Sequence, residues 1–185
     1  RFMRGMSVFF KRHDGEAATT EDFVAAVVDG AGADGLPLGF DVEQFRRWYH
    51  QAGTPHVSVK THWDASDGRL SLTLQQSTAP TPGQESKQAL VIPVLWSVLQ
   101  PDGGAGEERL MVLDQDETTV VLQGLPPAAQ PPVVSVFRRF SAPVTWDAGQ
   151  TTDDLFVLFA RDDDAFARWD AGQQLWKQLI LHRAE

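Results

Sequence analysis

Three regimes of hydrophobic spacing divide the chain. Over residues 1–53 apolar side chains recur at helical intervals. Phe2, Met6, Phe9 and Phe10 follow i, i+4, i+7, i+8, and Phe23, Val24, Val27 and Val28 form a second apolar face. Thr19 with Asp22 three residues on predicts a capping box at the head of that second helix. Gly30 to Gly39, with Pro37, predicts a loop. Asp41 with Gln44 opens a third helix, lined on one side by Phe45, Trp48 and Tyr49 and closed by Gly53. After Pro55 the period falls to two. Val57, Val59, Thr61 and Trp63 alternate with polar neighbours, Asp67-Gly68 makes a turn, and Leu70, Leu72 and Leu74 alternate again, which is a hairpin with one buried face.

Further strands follow at short intervals. Leu90 to Leu99 is apolar on both faces, with Pro93 pushing it toward an edge or a bulge. Leu110–Leu113, Thr118–Leu122, Val133–Phe140 and Val144–Trp146 complete seven strands, joined by turns at Pro101–Gly106 and by a proline-rich connector, Gly124–Pro132. From Thr151 the helical period returns. Thr151 with Asp154 caps a short helix bearing Leu155, Phe156, Leu158 and Phe159, and Asp162–Asp164 stands at the head of a last helix striped by Phe166, Trp169, Trp176 and Ile180. The predicted fold class is therefore α+β: an α-helical N-terminal segment, a central antiparallel β-sandwich of immunoglobulin-like size, and short C-terminal helices.

Charge narrows the partners. The 185 residues carry a formal net charge of −9, which repels phosphate backbones and anionic lipid, so neither nucleic acid nor a membrane is an expected partner. Zero cysteines suit a reducing, cytoplasmic setting. No apolar run reaches the ~20 residues that span a bilayer.

Each titratable cluster is a candidate for chemistry. His56 and His62 share one strand face about 20 Å apart and cannot share a metal. His13 beside Asp14 and Glu16 reads as a solvated helix end, and His50 and His182 have no ligand partner at i+3 or i+4. None of the serines sits in a Gly-x-Ser-x-Gly elbow. Gly30-Ala31-Gly32-Ala33-Asp34-Gly35 follows a helix rather than a strand, so it is not a dinucleotide loop. Asp114–Glu117 and Asp162–Asp164 lack the glycine and distal glutamate of a calcium loop and read as solvated. Of six tryptophans, Trp48, Trp169 and Trp176 fall on apolar helix faces and Trp63 and Trp96 on strand faces, which predicts core packing; Trp146 is open. No catalytic or metal-binding residue is expected in the chain, and no substrate-binding residue is assigned.

Longer strings carry a resemblance. Met6–Gly15 leading into Ala17–Phe23, Phe45–Tyr49 followed by Gln51–Pro55, Phe140–Val144, and Phe166–Ala171 resemble the aminopeptidase N family of zinc metallopeptidases, the bacterial alanyl aminopeptidases above all. The resemblance runs along nearly the whole chain. It implies the helical tail of a thermolysin-like catalytic domain at 1–53, a β-sandwich domain at 54–147 and the first helices of a C-terminal helical domain at 148–185. It also implies that the family's His-Glu-x-x-His zinc site, its Gly-x-Met-Glu-Asn segment and its transition-state tyrosine lie ahead of Arg1, so none is carried onto this sequence.

Both chain ends fall within helical patterns, without a capping residue before Phe2 or a terminating Gly or Pro before Glu185. The expectation is therefore an internal piece of a cytoplasmic zinc aminopeptidase, which removes N-terminal amino acids from peptides. The piece itself is expected to hold no cofactor and no activity, and to act as a structural linker. Its partners would be the rest of the parent, which handles the peptide substrate, or copies of itself through exposed helices. A stand-alone sandwich gripping protein or carbohydrate is the alternative, favoured by a row of exposed tryptophans on one sheet face. An enzyme working through a facing carboxylate pair is a third reading.

Overall fold

The computed structural model describes residues 1–99, 104, 106–126 and 128–184. The chain divides into two compact units, Arg1–Arg47 and Trp48–Glu185. Among the described residues no helix is long and apolar enough to cross a membrane.

The first unit is built on α1 (Phe2–His13), α2 (Thr20–Gly32) and the start of α3 (Val42–His50). The expected capping box is present: Thr19 accepts from the Asp22 amide, and the Asp22 carboxylate accepts from the Thr19 amide. Asp41 likewise accepts from the amides of Glu43 and Gln44. The expected loop from Gly30 is corrected, because α2 continues through Gly32. Gly30 is buried, and a Cβ placed on it would lie 2.5 Å from the Gly5 Cα and N; one placed on Gly5 would lie 2.6 Å from the Val27 Cα. These glycines are there for contact between backbones, not for a turn. The α1 stripe is only partly covered: Phe9 packs edge-on against Phe23, while Phe2 and Phe10 stay exposed.

The second unit is a sandwich with a helix pair. One sheet has the order β5-β2-β1-β7 and the other β4-β3-β6, from β1 (Pro55–Asp64), β2 (Arg69–Thr78), β3 (Ile92–Val98), β4 (Arg109–Leu113), β5 (Glu117–Leu122), β6 (Val134–Val136) and β7 (Thr145–Asp147). Alternation places Val57, Val59, Leu70, Leu72 and Leu74 on one inner face and Ile92, Val94, Trp96, Met111 and Leu113 on the other. The hairpin β1–β2 turns at Gly68, whose φ is +57° and whose missing Cβ would meet the Leu125 carbonyl oxygen at 2.2 Å. Gln76, inward on β2, donates to the carbonyls of Leu90 and Gln115 and accepts from the Leu90 amide, so its buried amide is satisfied.

Several expectations are amended. The sandwich is not wholly antiparallel, since β7 lies parallel to β1. β3 is a central strand, yet Pro93 is tolerated. β6 pairs β3 only from Trp96 onward, and the Leu95 amide on that same side goes to Ser141 Oγ, so the missing Pro93 N–H falls beyond the reach of β6. The strand expected over 133–140 shrinks to β6, and the chain then bends through a tight turn at Arg138–Phe140. The turn at 101–106 lies largely outside the described residues, as does Pro127 of the connector. α4 (Thr152–Arg161) opens on the expected Thr151–Asp154 capping box, and α5 (Ala165–Ala184) is a 20-residue helix rather than a short one. Leu99, Leu155, Leu158 and Ala171 make a second small core between this helix pair and the strands.

Candidate functional site

The strongest concentration of buried charge lies where the sandwich meets the helix pair. Three residues of this corner take left-handed backbone without being glycine: Phe137 (φ +53°), Arg139 (φ +56°) and Phe140 (φ +53°). The bend drives Phe137 into the core and turns Arg138 inward, where only 3% of it is exposed. Arg138 Nε donates to Glu108 at 3.0 Å, one terminal nitrogen to Asp162 at 2.7 Å, and the other to Asp163. Arg139 completes the cluster, its guanidinium on Glu108 at 3.0 Å and its amide on Asp164 at 3.1 Å. Asp164 also caps α5 by accepting from the Ala167 amide at 2.8 Å.

Burial disfavours the Arg138 cation, but hydrogen bonds to Asp163 and Glu108 and the charges of Asp162 and Asp163 outweigh it and hold the guanidinium above its ordinary value. The same hydrogen bond from Arg138 holds the Asp163 carboxyl below its ordinary value, against a smaller effect of burial. The expectation of a solvated helix head at Asp162–Asp164 is therefore corrected: Asp162 and Asp164 are buried, Asp163 stays exposed, and all three acids are engaged. The sequence carries one signal of this, an arginine inside an apolar run (Val136-Phe137-Arg138) with an acidic triplet as the complement.

Aromatic contacts run across the same corner. Phe137 packs on Trp146 at 4.9 Å between ring centres, Trp146 on Phe166 at 6.0 Å, and Phe166 on Phe140 and Trp169 at 5.3 and 5.6 Å. The corner is a fastening. Its charges are paired, with Arg138, Asp162 and Asp164 turned inward and Arg139 and Asp163 at the surface.

Arg139 offers a test of the backbone. A left-handed non-glycine residue costs about 1–2 kcal/mol, and its exposed ion pair returns less than about 1 kcal/mol. Arg139→Gly is therefore expected to leave stability unchanged or raise it by up to about 1 kcal/mol, net of the extra freedom glycine gains when unfolded. A fall in the denaturant midpoint would contradict this.

The other candidates are scattered. His56 Nδ1 lies 3.0 Å from Thr145 Oγ1, and His56 and His62 are both exposed on β1. Among the described residues no group of three or more His, Cys, Asp or Glu side chains converges to hold a metal ion. Asp170 is pushed up by burial, opposed by the Gln174 amide at 2.7 Å. Trp96 is buried and Trp48, Trp63 and Trp146 pack against the core, but Trp169 and Trp176 are exposed, contrary to expectation. They sit on α5, so no sheet face presents a row of exposed tryptophans.

Comparison with known proteins agrees with this architecture. Residues 53–149 match the family described as a domain of unknown function (DUF3458) with an Ig-like fold. The chain belongs to the DUF3458 family. Residues 152–185 of this DUF3458 chain match the companion DUF3458_C, described as ARM repeats. The chain is 44% identical over 184 residues to Aminopeptidase N of Caulobacter vibrioides, covering 99% of this chain and 20% of that protein. It is 35% identical over 187 residues to Aminopeptidase N of Escherichia coli, covering 97% and 20%. Among solved structures, Legionella pneumophila aminopeptidase A, crystallised in complex with aspartic acid, superposes with a TM-score of 0.79 at 25% identity, covering 97% of this chain and 19% of that one. The resemblance to the aminopeptidase N family thus holds along the whole chain, which spans about one fifth of the length of the curated relatives it matches.

Proposed function

We propose that this DUF3458 chain serves as the brace of a cytoplasmic, zinc-dependent aminopeptidase that removes N-terminal residues from peptides. In this reading 1–53 belongs with a catalytic domain, 54–147 is the sandwich, and 148–185 begins a helical stack. The carrying observation is the Arg138 corner, where paired charge and packed rings fasten the sandwich to α4 and α5. A second feature supports it. Phe156, Phe159, Trp176 and Ile180 leave an apolar helix face uncovered, with Trp176 62% and Ile180 64% exposed, as suits the first member of a layered helical array.

The metal-dependent cleavage is carried elsewhere in the parent. Supplied with zinc and an alanyl nitroanilide, the chain is expected to show only background hydrolysis, and chelator-sensitive turnover would refute the reading. In sedimentation the chain is expected to self-associate through the uncovered face, and Trp176→Glu with Ile180→Glu to return it to monomer. A monomeric unsubstituted chain would remove the support drawn from that face.

A further inference from the structure

A cavity of about 260 Å³ lies between the end of β1, the described residues of the proline-rich connector and α4. Trp63, Leu125, Pro132, Val133 and Val157 form its walls, and Arg161 is its cation. The one polar atom of Trp63 is already engaged, its Nε1 donating to the Ala128 carbonyl at 2.8 Å, so the indole presents apolar surface to the space. An apolar cavity of ~150 Å³ already admits benzene, so this one has room for a ring with a short chain. Proline and tryptophan walls lose little conformational freedom when a ligand enters.

Arg161 supplies the selectivity. It is exposed at the last turn of α4, where a cation suits the helix dipole. Among the described residues its guanidinium has no carboxylate partner, whereas Arg69, Arg109, Arg138 and Arg139 each have one. An unneutralised guanidinium beside an apolar-walled hollow favours a carboxylate carried on an apolar tail.

We propose that this pocket binds a small amphipathic carboxylate, its aromatic or medium-chain tail between Trp63 and Val157 and its anionic head on Arg161. The affinity is modest, with Kd on the order of 0.1–1 mM for a ligand of about a dozen heavy atoms. The test is an NMR titration of the full chain with 4-phenylbutyrate and, in parallel, the uncharged 4-phenylbutanol, following the indole N–H signals. Phenylbutyrate is expected to shift Trp63 and leave Trp176 unmoved, and the alcohol to bind about tenfold more weakly. Arg161→Gln is expected to erase that tenfold preference, and Val157→Trp, which fills the space, to abolish binding of both. The surface variant keeps the test valid if Val157→Trp misfolds. No Trp63 shift at millimolar ligand, equal binding of acid and alcohol, or a response at Trp176 alone would overturn the proposal.

Discussion

Arg138→Met is expected to lower the melting temperature by roughly 6–20 °C. Removing the cation leaves Asp162 buried without its counter-charge, and breaking a buried pair in this way costs about 3–5 kcal/mol; for a chain of this size each kcal/mol is worth about 2–4 °C. Methionine keeps much of the volume, so the loss reports charge rather than a cavity. Adding Asp162→Asn to Arg138→Met is expected to recover part of the loss, because the stranded charge is then gone. The pH dependence has a definite sign. Arg138 depresses the Asp163 carboxyl below its ordinary 3.8, so its contribution is complete above that value and disappears as pH falls through the folded-state value. The gap between the unsubstituted chain and the variant should be widest near pH 7 and narrow below about pH 4 in thermal melts. A melting shift smaller than about 2 °C near neutrality would show that the corner is not what fastens the helices.

Gly30→Ala is expected to destabilise the first unit by about 1–3 kcal/mol, although alanine is the better helix former by about 1 kcal/mol. The new methyl would meet backbone atoms of Gly5 and Arg4 at 2.5–2.7 Å. Backbone cannot swing aside as a flexible side chain can, so α1 and α2 must part and lose their packing. Gly32→Ala, two residues on, meets nothing within 4 Å, and should leave the unit unchanged or slightly more stable. Amide hydrogen exchange of α1 and α2 reads both, and the two alanines are expected to differ in sign. If both alanines protect the helices alike, close approach is not the role of Gly30.

Local signals in the sequence were faithful wherever neighbours in the chain decide the structure. The two Thr–Asp capping boxes need only three residues each, and both formed as expected. The β1–β2 hairpin needs only a period of two and a glycine. What stayed hidden was decided by partners far along the chain. Glycine at position 30 looks like a helix breaker until Gly5 lies against it. Arg138 reads as one more strand residue until Glu108, 30 positions earlier, and Asp162, 24 later, turn toward it. The left-handed stretch beside it contains no glycine to announce it. Trp169 and Trp176 follow a core-like spacing, yet spacing identifies a face and not whether this chain covers it. The aminopeptidase resemblance located the chain within a family, but it could not supply the corner.

The short parallel pairing of His56 with Thr145 joins residues 89 positions apart. As the polypeptide emerges from the ribosome, one flank of β1 must wait, its peptide groups open to water, until the final strand arrives. Closure of that sheet is therefore a late event with a high entropic barrier. The unfinished edge is the stage at which another nascent chain could intrude.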